Sequence, residues 1–80
     1  MVVVVPSSRF EKAFKKIKHQ SVKQHIILEI QKIGKNPLIG KPMRFDRLGT
    51  REVYISPYRL SYVVEGNALT ILDLYHKDEQ

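Results

Sequence analysis

Arg51-Glu-Val-Tyr-Ile55, Ser56-Pro57, Tyr58-Arg-Leu-Ser-Tyr-Val-Val64, Glu65-Gly66-Asn67 and Leu69 to Tyr75 run in succession through residues 51–75, and this stretch decides the fold. Two segments alternate apolar and polar residues as half-buried strands do, Ser56-Pro57 makes a tight connection, and Glu65-Gly66-Asn67 is a hairpin turn leading into a last strand. Three such strands close as an antiparallel meander. Alternation along Tyr58–Val64 sets Arg59, Ser61 and Val63 on one face and Tyr58, Leu60, Tyr62 and Val64 on the other. The second set belongs against a packed layer, so Arg59 is expected on the open side.

Upstream, Asn36-Pro37-Leu38-Ile39-Gly40-Lys41-Pro42 reads as loop from its Pro and Gly content. Before it lie two helical patterns. Ser8-Arg-Phe-Glu11 is a capping-box signature, and Phe10, Ala13, Phe14 and Ile17 follow at helical spacing, which predicts a first helix from Arg9 to Lys18. Ser21-Val-Lys-Gln24 repeats the signature for a second helix, with Val22, His25 or Ile26, Ile30 and Ile33 as its stripe. Ile27 and Leu28 broaden the face expected to be buried, and Gly34 with Asn36-Pro37 stops the helix. A short His19-Gln20 turn predicts a helical hairpin. Val2 to Val5 is β-branched throughout and reads as a strand, central in the sheet rather than at its edge. The expected architecture is α+β: β-α-α-β-β-β, an antiparallel sheet packed on an α-helical hairpin.

Eighty residues make a single domain, residues 1–80. A chain of this size buries only roughly 60% of the surface its unfolded form exposes, so chemistry is expected on an open groove rather than in a deep cavity. There are no cysteines, which excludes disulfides, thiolate zinc sites and thiol catalysis; no metal or cofactor is expected. The apolar run Val2–Val5 is far below the ~20 residues of a membrane span and too short for a secretory signal, so the expected compartment is the cytoplasm, with no membrane partner. The net charge of +6 is uneven. Eight of the 14 Lys and Arg but two of the eight Asp and Glu fall within residues 1–40, which points to a polyanion such as nucleic acid.

The helical hairpin, the Asn36-Pro-Leu-Ile-Gly-Lys-Pro42 loop, the Leu48-Gly49 step, Ser56-Pro-Tyr-Arg-Leu-Ser-Tyr62 and Leu72-Asp-Leu-Tyr-His-Lys77 together resemble the RelE/ParE superfamily of small toxins across almost the whole chain. That resemblance implies the fold just derived. It also implies the toxin component of a type II toxin–antitoxin system: an endoribonuclease (mRNA interferase) that needs no metal and cuts mRNA on the ribosome, with a cognate antitoxin as protein partner. ParE-like members instead inhibit gyrase without nuclease activity, and a catalytically silent module that binds only RNA or antitoxin is a third reading.

RNA cleavage of this kind needs a base for the 2′-hydroxyl, a cation for the charge developing on the phosphate and an acid for the 5′-oxygen; the product is a 2′,3′-cyclic phosphate. Arg59 aligns with the family's signature arginine, and its planar fork can grip two phosphate oxygens. His76 and Lys77 occupy the family's C-terminal catalytic region, as proton-transfer group and phosphate contact. Glu52 and Tyr54 stand where strongly catalytic relatives carry cations. Glu52 is a candidate base and Tyr54 a stacking platform or proton donor, while the loss of two cations is also what a silent nuclease would show. Lys41, Arg44, Arg47 and Arg51 are candidate RNA-backbone contacts, and the lysines of the first helix add a sequence-independent electrostatic footprint. A nuclease built on Arg59 and His76 requires both to hold the same phosphodiester on the open side of the sheet, and their placement on opposite surfaces would end that site.

Overall fold

The computed structural model describes residues 2–44 and 48–79. Strand β1 (Val3–Pro6) is followed by helices α1 (Ser8–Lys16) and α2 (Gln20–Lys35), a two-residue strand β2 (Lys41–Pro42), and the meander β3 (Thr50–Ile55), β4 (Tyr58–Glu65) and β5 (Ala68–His76); a 3-10 turn, Lys77–Glu79, closes the described chain. The sheet runs β1-β5-β4-β3-β2, antiparallel except for the parallel pairing of β1 with β5. The α+β architecture and the three-strand meander are as the periodicity requires.

Both helices lay their apolar stripes on one face of the sheet. Phe10, Ile17, Ile26 and Ile33 meet Ile55, Leu60, Tyr62, Leu69, Ile71 and Leu74, all nearly inaccessible to water. Three expectations need correction. First, β1 is an edge strand: Val3 and Val5 are 58% and 44% exposed while Val4 packs on the core. A run of β-branched residues favours extended backbone whichever side it faces, so it does not report position in the sheet. Second, Ile27 and Leu28 are exposed, because it is Val22, Ile26, Ile30 and Ile33 that keep the helical phase that reaches the sheet. Third, the helix starts are displaced. The N-cap of α1 is Ser7, not Ser8, and α2 is capped by His19 without a side-chain bond, so neither expected capping box forms.

Ser7 is held in place by what lies beneath it. Its hydroxyl accepts from the Phe10 N–H (3.1 Å) and donates to the Leu72 carbonyl (2.8 Å). That carbonyl belongs to a β-bulge. The hairpin register pairs Tyr62 with Ile71 but Ser61 with Asp73, which leaves Leu72 as the extra residue in β5. A single extra residue reverses which face every later side chain of the strand occupies. Leu69 and Ile71 are core before the bulge; Leu74 is core after it.

The Asn36–Pro42 loop is fastened to the core face. The Tyr62 hydroxyl donates to the Pro37 carbonyl (2.6 Å) and accepts from the Gly40 N–H (2.9 Å), while Arg51 Nη1 donates to the Gly40 carbonyl (2.7 Å). A Cβ on Gly40 would lie 2.5 Å from the Tyr62 hydroxyl oxygen, so only glycine allows this approach. Burial pushes the Tyr62 phenol pKa up, opposed by the Gly40 hydrogen bond and the Arg51 charge.

Candidate active site

Residues directly opposite one another in antiparallel strands share a face. Lys41–Glu52–Ser61–Asp73 and Tyr54–Arg59–Tyr75 therefore form two cross-strand rows on the face away from the core. Among the described residues that face carries no helix. Arg59 comes to the open side as alternation predicts, and Glu52 and Tyr54 come with it.

These side chains contact one another. Arg59 Nη1 lies 3.1 Å from Glu52 Oε1, the Tyr75 hydroxyl donates to Glu52 Oε2, and the Arg59 guanidinium sits over the Tyr54 ring, 5.6 Å from its centroid. Glu52 is only 8% exposed, so its charge is kept in the site by these partners rather than by water. Arg59 Nε is buried and has no hydrogen-bond partner among the described residues. Tyr54 is half exposed. Tyr75 is the member that sequence reasoning misses. It becomes the direct partner of Arg59 only because the bulge at Leu72 shifts the register.

The same shift removes His76. In an uninterrupted hairpin its side chain would emerge on the Arg59 face; after the bulge it pairs with Tyr58 on the core side, ring edge to ring face at 5.7 Å. Its Nδ1 lies 3.3 Å from the Asp78 N–H and 3.6 Å from that residue's carboxylate. The expectation that Arg59 and His76 hold one phosphodiester is thereby corrected. Lys77 is exposed in the terminal 3-10 turn, and its backbone N–H donates to the Pro57 carbonyl (3.0 Å), closing the sheet's end. Arg51, expected to contact RNA, belongs to the core face and is engaged with loop carbonyls. Lys41 stands on the open face beside Glu52, Arg44 is exposed, and Arg47 lies outside the described residues.

The arrangement therefore offers a carboxylate, a guanidinium and two phenols on the open face of the sheet. Residues 4–80 match the model of the ParE toxin of the type II toxin–antitoxin system parDE. The chain belongs to the ParE toxin family. As a ParE-family chain of the wider RelE/ParE superfamily, it is the toxin side of a type II toxin–antitoxin system. Its fold is similar to that of the RelBE2 toxin–antitoxin complex from Mycobacterium tuberculosis (21% identity over 95% of this chain and 98% of that one, TM-score 0.83). The intact RelBE complex of Escherichia coli aligns over the full length of both chains at 17% identity and a TM-score of 0.81. A conserved hypothetical protein of Helicobacter pylori is 27% identical over 99% of this chain and 98% of its own, with a TM-score of 0.71. No curated protein matches this ParE-family toxin.

Proposed function

We propose that this toxin is an endoribonuclease that cuts mRNA with Arg59, Glu52, Tyr75 and Tyr54 as its working groups, in place of the expected Arg59–His76 pair, whose members stand on opposite faces. The observation that carries the reading is their mutual contact on a helix-free face, which supplies base, cation and acid within one network. Glu52 takes the proton of the 2′-hydroxyl, and the resulting oxygen attacks the adjacent phosphorus in line. Arg59 holds the non-bridging oxygens as charge accumulates on them. The P–O5′ bond breaks, the 5′-oxygen takes a proton from the Tyr75 hydroxyl, and the products are a 2′,3′-cyclic phosphate and a 5′-hydroxyl. The Tyr75–Glu52 hydrogen bond gives the abstracted proton a direct path back to the phenol. Tyr54 stacks on a neighbouring base, and Lys41 and Arg44 contact the backbone.

Ribosome-engaged mRNA in the cytoplasm is the proposed substrate, and a cognate antitoxin the proposed protein partner. Relatives of this fold are known as RelBE and YoeB–YefM toxin–antitoxin complexes, and the net charge of +6 suits an acidic, partly disordered segment that folds on binding. Arg59→Ala should lower cleavage of single-stranded RNA by roughly 10²–10³-fold in a chain that still folds, though less stably because the buried Glu52 loses its cation. Survival of activity within a few-fold would show that the site lies elsewhere.

One observation favours a second reading. Glu52 already occupies one arm of the Arg59 fork and neutralises its charge, as a protein without phosphoryl chemistry would tolerate. Intact transcripts alongside DNA breaks after induced expression would establish a gyrase inhibitor in place of the nuclease; cuts within translated codons, read by primer extension, support the nuclease.

A further inference from the structure

A groove of about 430 Å³ adjoins the Glu52–Arg59 pair, lined by Arg9, Met43, Thr50, Ser61, Leu72 and Asp73, with Glu52 shared between groove and cluster. We infer that this groove is a nucleobase-reading site selective for guanine beside the scissile phosphate, with Asp73 and Arg9 as the residues that set the preference. The inference rests on the RNA-cleaving reading and adds to it which base the site accepts.

The bulge creates the groove. Without the extra Leu72, Asp73 would point into the core beneath the helices; with it, Asp73 pairs with Ser61 and stands two strands from Glu52, across Ser61, on the open face. Bulges next to functional sites commonly re-aim a side chain in this way. The Asp73 carboxylate is fixed in rotation: Oδ1 accepts from the Leu74 N–H at 2.8 Å, and Oδ2 lies 3.8 Å from Arg9 Nη1. That separation is long for a hydrogen-bonded ion pair. The two groups are close enough to act on one ligand without being closed on each other.

An anionic wall in an RNA site repels phosphate, so its use must be toward a donor-rich part of the nucleotide. A carboxylate is acceptor-only. Guanine alone among the four bases presents two adjacent N–H donors, N1 and N2, on its Watson–Crick edge. Its O6 and N7 are acceptors that suit an arginine. Cytosine and adenine offer one amino group flanked by a ring acceptor, which would face the carboxylate repulsively. Met43 and Leu72 supply apolar surface for the base. Arg9, in the first turn of α1, is brought to the rim because Ser7 ties that turn to the Leu72 carbonyl.

The test measures equilibrium binding of the purified chain to short RNAs that carry guanine, inosine, adenine or cytosine at one position. A 2′-deoxy sugar at the cleavage point separates affinity from cutting. Inosine lacks only the N2 amino group, so guanine should be preferred over it by roughly tenfold, the loss expected for one charge-assisted hydrogen bond. Asp73→Asn should bring that ratio to within about twofold of unity. Arg9→Ala should reduce the preference for guanine over adenine several-fold; Arg9 is largely exposed, so this variant keeps the proposal testable should Asp73→Asn disturb the bulge. Equal binding of the four RNAs by the unaltered chain, with affinity that Arg59→Ala removes, would overturn the base-reading site while sparing the RNA-cleaving reading. Absence of RNA binding altogether would overturn both. Undiminished guanine preference in a folded Asp73→Asn chain would also sink the assignment.

Discussion

Tyr62 concentrates several constraints in one side chain. It is fully buried, yet its hydroxyl both donates to Pro37 and accepts from Gly40. Tyr62→Phe keeps the ring and strands a carbonyl and an amide, which should cost about 1–3 kcal/mol in chemical denaturation. The pH dependence follows from the raised phenol. The folded state holds this proton more tightly than the unfolded chain, whose phenol titrates near about 10. The stabilisation is complete below that value and is lost as pH rises through the higher folded value. Stability curves recorded between neutral and strongly alkaline pH should therefore fall above about pH 10, and Tyr62→Phe should flatten that limb. Gly40→Ala meets the same oxygen from the other side and should destabilise by about 1–3 kcal/mol through overpacking. In the proposed site the matching single change is Glu52→Gln. It keeps the shape but removes the base, and RNA cleavage should fall by roughly 10²–10⁴-fold with the melting profile close to that of the unaltered chain.

Elements carry most of what is legible in the sequence. The β3–β4–β5 meander and the helical hairpin can be read because period-2 and period-3.6 patterns survive in most of their residues, and the face of Arg59 follows from alternation alone. The bulge is written in the sequence as a phase change: apolar residues at Leu69 and Ile71, then at Leu72 and Leu74. Alternation taken as unbroken sends Tyr75 and His76 to the wrong faces. Capping is misread by one residue at α1 because Ser7 and Ser8 are adjacent and both can cap. What selects Ser7 is a carbonyl distant in sequence, that of Leu72. This yields a paired prediction. Ser7→Ala should cost about 1–2 kcal/mol, whereas Ser8→Ala should change stability by less than about 0.5 kcal/mol, both read from denaturant midpoints. Edge placement of β1 is not legible, since strand propensity is silent about neighbours.

At the scale of the molecule, charge and topology divide the work. α1 and α2 cover the core face, so most lysines concentrated in the N-terminal half ride on the side away from the Glu52–Arg59 cluster. They contribute a diffuse field that salt screens over about 8 Å at physiological ionic strength. Lys41 stands on the open face itself. Lys41→Glu should accordingly weaken RNA binding more than Lys15→Glu or Lys16→Glu at moderate salt. The difference should persist when salt is raised, because a contact charge is less screened than a remote one. Equal losses from all three reversals would mean that RNA is held by the field of the whole molecule rather than by the open face. No helix among the described residues is long and apolar enough to cross a membrane.

The outermost position of β1 has a further consequence. Its backbone is hydrogen-bonded along one margin only, to β5, and two of its three valines already meet solvent. Its outer margin can fray while the β3–β4–β5 meander keeps its own hydrogen bonds. Amide protons of Val3 to Val5 should therefore exchange with deuterium sooner than those of Leu60 or Tyr62.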